Sequence, residues 1–138
     1  MHRRVLVAVG VAAVSLTGGY AALAPAKETQ AASRQATVRL KNFQFGMRLH
    51  FKAGKTKFTF RNTGSFPHNF TVVEALGGAK KFKSATVAPG KKQVKTVNLR
   101  PGAYVVVCTV FNGAHLAQGM YKQFTVGTFN RTTGKWGP

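Results

Sequence analysis

From Val38 onward apolar residues recur at every second position: Val38 and Leu40, Phe43 and Phe45, Phe58 and Phe60. A period of two is what half-buried strands show. A turn at Lys52-Ala53-Gly54-Lys55 precedes the third pair, and a loop from Arg61 to Pro67, with Asn62, Gly64 and Pro67, separates it from an extended stretch, Asn69 to Val73. Leu76 to Lys83 (LGGAKKFK) breaks the alternation with two glycines and a basic cluster, so it reads as a surface connection. Then follow Ala85 to Val87, a Pro89-Gly90 turn, a strand from Gln93 to Leu99 and a Pro101-Gly102 turn. Ala103 to Thr109 is rich in β-branched and aromatic residues and reads as a strand. A glycine-containing loop leads to the last strand, Met120 to Val126, and residues 127–138 form a tail. Short strands at regular spacing, without a convincing helical period, predict an all-β fold, an antiparallel β-sandwich.

The start of the chain has a different pattern. His2, Arg3 and Arg4 precede an uncharged apolar run from Val5 to Ala24, and Ala24-Pro25-Ala26 offers small residues where a signal peptidase reads. Residues 1–26 therefore read as a signal peptide, which places the protein outside the cytoplasm, in the periplasm or on the outer face of the cell envelope. The competing reading is an uncleaved membrane anchor, since about 20 apolar residues can span a bilayer. Residues 27–37 (KETQAASRQAT) are small and polar and read as a flexible lead to a domain over residues 38–126.

Composition narrows the chemistry. The 138 residues hold 21 Lys/Arg against 2 Asp/Glu, a formal charge of +19, and the acids are Glu28 and Glu74. The chain has no Asp, which excludes paired-carboxylate glycosidases, Asp-dependent triads and Ca²⁺ or Mg²⁺ sites built on acidic side chains. With 44% hydrophobic residues and 11 Phe, it is a packed domain rather than a disordered basic tail. Loss of residues 1–26 would remove Arg3 and Arg4 and leave +17. A field of that sign steers anionic partners, so an acidic redox partner or an anionic membrane or envelope surface is expected. Adaptation of the whole surface to an acidic environment is the alternative.

Cys108 is the only cysteine, so no internal disulfide is available. Taken alone it reads as a small buried hydrophobe. Its company changes that: His68 lies in FPHNF, and Cys108, His115 and Met120 lie in CTVFNGAHLAQGM. Two imidazoles, a thiolate and a weak axial thioether make the donor set of a blue-copper electron-transfer site. Zinc accepts two His and one Cys, but methionine is a poor zinc ligand. His50 and Met47 have ligand chemistry without a matching partner and read as structural or exposed, and Trp136 reads as a packing anchor. On the Cys108 strand, Tyr104 and Val106 share the cysteine's face and Val105 and Val107 take the other. Asn69-Phe70-Thr71 is a glycosylation sequon, discounted because Asn69 is expected to be buried.

With these residues the chain resembles the cupredoxins, the blue copper family of plastocyanin, azurin and auracyanin. The resemblance runs from about Val38 to Val126 and rests on KAGKTKFTFRNTG, PHNF, RPGAYVVVCT and H-x4-M with Gly119 before Met120. It implies a Greek-key β-sandwich that binds one type 1 copper through His68 and His115 Nδ1, the Cys108 sulfur and, axially, Met120. It also implies that Asn69 ties the His68 loop to the cysteine loop by hydrogen bonding. Six residues (TVFNGA) separate Cys108 from His115, an interval that varies within the family.

The function implied is that of a one-electron carrier rather than an enzyme, cycling between Cu(II) and Cu(I) among redox partner proteins. Electrons would pass through His115, with Phe66, Pro67, Phe111, Leu116 and Ala117 as an apolar docking patch. Copper storage or delivery is a second reading. A third is a basic sandwich that binds anionic polymers, since KNFQF, RLHFK and KFTFR interleave basic and aromatic residues. Strand alternation explains the same pattern, with aromatics inward and cations outward, and export makes nucleic acid an unlikely partner.

Overall fold

The computed structural model describes residues 34–76 and 80–138. The signal peptide or anchor and most of the polar lead lie outside the described residues. Among those described, no helix is long and apolar enough to cross a membrane.

Two sheets face each other. One has the order β2-β1-β4-β7, with β1 Arg34–Lys41, β2 Gln44–Gly46, β4 Gly54–Asn62 and β7 Lys92–Leu99. The other has the order β3-β9-β8-β5-β6, with β3 His50–Phe51, β5 Thr71–Glu74, β6 Lys80–Lys83, β8 Gly102–Val107 and β9 Tyr121–Val126. Alternation makes each strand two-sided, as β4 shows: Thr56, Phe58, Phe60 and Asn62 are buried while Lys55, Lys57 and Arg61 are exposed. Between the sheets Phe58 stacks on Phe60 at 5.7 Å, and Phe70 packs within 5.0 Å of Phe60 and 5.4 Å of Phe45. Each such ring, buried, contributes about 1.5–3 kcal/mol. Because the rings point inward, the interleaved basic residues form a solvated face and not a base-stacking platform. Tyr104, Val106 and Cys108 are buried together, while Val105 and Val107 are only partly so.

The sandwich differs from the sequence expectation in five places. It is mixed, because β1 pairs with β4, and β3 with β9, in parallel. The first strand begins at Arg34, so the last four residues of the expected lead are paired with β4. Lys80–Lys83, expected within a surface connection, is the edge strand β6, carried by its pairing with β5. Ala85 to Val87 is not a strand, and only Val87 forms a bridge, to His68. The tail contains a hairpin of β10 Thr128–Asn130 and β11 Lys135–Gly137, in which Trp136 packs on Phe129 at 5.2 Å.

Candidate metal centre

One end of the sandwich gathers the C-terminal end of β8 and the N-terminal ends of β5 and β9. Cys108 follows β8 directly, and its N–H donates to the Met120 carbonyl at 3.2 Å. The loop between them makes a 3₁₀ turn at Phe111–Gly113 and a single helical turn, α1 Ala114–Ala117, that carries His115. The Met120 N–H donates to the His115 carbonyl at 2.9 Å, so Met120 is tied through its backbone to both other ligands on this corner. His68 comes from the other side, fixed by a reciprocal bridge in which its N–H donates to the Val87 carbonyl at 3.1 Å and its carbonyl accepts from the Val87 N–H at 2.8 Å.

Side chains converge accordingly. His68 Nδ1 and His115 Nδ1 are 3.0 Å apart, and Cys108 Sγ is 3.8 Å from the first and 3.6 Å from the second. One ion bonded to imidazole nitrogen at about 2.1 Å and to thiolate at about 2.3 Å links donors up to about 4.4 Å apart. All three separations fall within that limit, and the three residues are buried. Met120 is fully buried in the same core. The four residues are thus arranged as a type 1 copper site, with no carboxylate among the donors.

Electrostatics prepares the nitrogens. His68 is driven from the ordinary 6.5 to about 4, first by burial and then by the charge on His115. Burial also lowers His115. Both rings are therefore neutral near pH 7 and have a lone pair to donate. The outer nitrogen of His68, Nε2, is buried without a hydrogen-bond partner.

Asn69 clamps the two loops together. Its Oδ1 accepts from the Thr109 N–H at 2.9 Å, and its Nδ2 donates to Thr109 Oγ1 at 3.1 Å. Thr71 Oγ1 adds a bond to Asn69 Oδ1 at 3.3 Å. A side chain so enclosed, 1% exposed, offers no acceptor for a glycan.

Of the expected apolar patch, Phe66, Phe111, Leu116 and Ala117 are exposed and Pro67 is half-buried. Phe66 and Phe111 set their rings edgewise to His115, at 6.0 and 5.3 Å. A third ring, Phe43, does the same at 5.3 Å and 85°. Alternation had placed Phe43 in a strand with Phe45. It lies instead in the β1–β2 turn with φ 58°, and Phe111 has φ 51°. Bulky residues rarely adopt this left-handed backbone, and such strain persists only where surroundings enforce it. Both strained phenylalanines touch the same ligand ring, a role that only the turn geometry reveals. His50 is exposed and bonds Thr125 Oγ1 at 2.9 Å, and Met47 packs half-buried at the core's edge, so neither joins the donor set.

Comparison with known proteins agrees with this geometry. Residues 9–121 match the family described as a cupredoxin-like domain. No curated protein matches the sequence. Among solved structures, dithionite-reduced auracyanin from Roseiflexus castenholzii is 22% identical, with a TM-score of 0.57 over 71% of this chain and 100% of its own. Auracyanin A from Chloroflexus aurantiacus, a blue copper protein, is 15% identical with a TM-score of 0.55, over 67% of this chain and 98% of its own. Rusticyanin from Thiobacillus ferrooxidans is 20% identical with a TM-score of 0.52, over 67% of this chain and 75% of its own.

Proposed function

Since the chain belongs to the cupredoxin-like domain family, we propose that it is an exported mononuclear blue copper protein that carries single electrons between redox partners and transforms no substrate. His68 and His115 would hold copper through Nδ1 and Cys108 through Sγ, with Met120 as the axial ligand. Bound copper supplies a Cu(II)/Cu(I) couple; the chain's own residues hold the ligands still and keep water out.

The observation that carries this reading is the buried donor triad on hydrogen-bonded loops. His68 and Cys108 are 0% exposed and His115 is 4% exposed, so an electron can reach the site while a substrate cannot. Rigid ligands suit electron transfer because little has to reorganise when the charge changes. Such burial also argues against storage or delivery, which calls for exchangeable metal. Electrons would pass at His115, the ligand edged by the exposed rings Phe66 and Phe111. Auracyanin A, of similar fold, is a blue copper protein, and auracyanin and rusticyanin exist in reduced forms. The exported location rests on the sequence of residues 1–26.

The test is a visible absorption titration of the domain with one equivalent of Cu(II). An intense thiolate-to-copper band is expected, and Cys108→Ser should abolish it while the far-ultraviolet circular dichroism stays that of a β-protein. A colourless wild type, or colour that survives in Cys108→Ser, overturns the assignment.

A further inference from the structure

The strands that lead into the rings around His115 also carry a row of cations. On the outer face of the four-stranded sheet Arg39 of β1 lies directly opposite Arg61 of β4, and Arg61 directly opposite Lys92 of β7. All three are exposed, as is Lys91. Like charges directly opposite one another destabilise a sheet. Among the described residues no carboxylate relieves them, because Glu74, the only acidic side chain there, is on the other sheet and pairs with Lys81. The next rung on this face, Thr37, Thr59 and Val94, is uncharged, and those beyond have one cation each, Lys57 and then Lys55. The cations are therefore densest at the end that holds the metal-ligand residues.

Three contacts make the row continuous with the site. Gly64, which lines a hollow with Arg61, Lys91 and Lys92, also abuts His68, since a Cβ on it would come within 3.1 Å of His68 Nε2. The Ser65 N–H donates to Asn42 Oδ1 at 2.7 Å, which joins the loop after Arg61 to the turn after Arg39. Those two segments present Phe66 and Phe43, whose rings lie 6.0 Å apart beside His115.

We infer that this row is a docking surface for the carboxylate-rich face of a redox partner protein, seated with its acids on Arg39, Arg61 and Lys92 and its apolar surface over Phe66 and Phe111. The inference rests on the carrier reading and gives that partner its chemistry and its place. Charge complementarity selects an anionic occupant. Among the cations of the row itself a nucleic acid finds no ring to stack on, because Phe45, Phe58 and Phe60 of these strands are all buried. A lipid surface held across the row and its adjoining rings would cover His115 and block electron exchange.

The experiment compares wild type, R39Q/R61Q/K92Q, and a control of equal net charge, K80Q/K83Q/R131Q. The visible spectrum of the copper-loaded wild type comes first, and a missing thiolate band there overturns the carrier reading itself. Metal-free ¹⁵N-labelled protein is then titrated with hexaglutamate. Shifts are expected at Thr63, Gly64 and Gly90 in wild type and control and are lost in the row variant. With the Cu(I) protein, the row variant should be oxidised by hexacyanoferrate(III) about tenfold more slowly at low ionic strength, and the control less than about twofold. Oxidation by the cation tris(phenanthroline)cobalt(III) should not slow in either. Equal slowing in both variants, or peptide shifts elsewhere, overturns the docking surface. Phosphatidylglycerol vesicles that bind wild type and control but not the row variant, with hexaglutamate inert, would make the face a membrane contact and overturn the protein partner.

Discussion

The strands β5 and β8 have His68 and Cys108 just beyond one end and Glu74 and Tyr104 at the other, and the two ends satisfy their polar groups in opposite ways. At the far end a cavity of about 330 Å³ opens among Glu74, Lys81, Phe82, Leu99, Arg100 and Tyr104. Its ion pair, Lys81 to Glu74 at 2.5 Å, is 39% and 45% exposed, and water shares the work of solvating it. Such surface pairs contribute about 0–1 kcal/mol. At the metal-ligand end the groups are withdrawn from water and bound within the protein: the backbone of His68 pairs with that of Val87, the backbone of Met120 with those of Cys108 and His115, and the Asn69 side chain with Thr109. The same sheets support both arrangements. What differs is that loops at one end are locked by buried hydrogen bonds, which is what a preorganised donor set requires.

Acid should separate the two ends most sharply. Folded His68 titrates near 4 and its unfolded form near 6.5, so between these values the unfolded chain binds more protons. Stability from burying a neutral imidazole is then complete above 6.5 and is lost as pH falls toward 4. The slope reaches about 1.4 kcal/mol per pH unit for one histidine, and the lowered His115 adds in the same direction. Urea midpoints of the metal-free domain at pH 7, 5.5 and 4.5 should fall accordingly, and a flat series would show the histidines solvated.

Asn69→Ala comes next. It leaves the half-buried Thr109 N–H without its acceptor and should cost about 1–3 kcal/mol by urea unfolding, with a shifted copper absorption band because the two ligand loops come apart. An unshifted band would mean that the backbone bridges alone hold the loops. The smallest effect belongs to the far end, where Glu74→Gln should cost less than about 1 kcal/mol and leave the copper spectrum unchanged. A change of colour would reveal coupling along β5 and β8.

How much was legible in the sequence depended on where the deciding interaction lies. Period-two alternation located β4, β7, β8 and β9 because their core faces are set residue by residue. The donor set was readable because Cys, two His and Met form a distinctive chemical group, three of them on one short loop. Strand β6 was hidden because KKFK has little core face of its own and becomes a strand only beside β5. Ala85 to Val87 looked like a strand, yet only Val87 finds a backbone partner. Phe43 was misplaced because its alternation with Phe45 is real, while its φ of 58° belongs to a turn tied to a loop some twenty residues on.

By itself the sequence determined the fold class, the inward rings and outward cations, the donor residues and the charge, because each depends on local period or residue chemistry. Only the tertiary structure decided the parallel pairing of β1 with β4, the clamp from Asn69 to Thr109, the rings around His115 and the alignment of Arg39 with Arg61 and Lys92. Each of these joins segments distant in the chain, and it is their register and loop closure, not their composition, that brings the groups together.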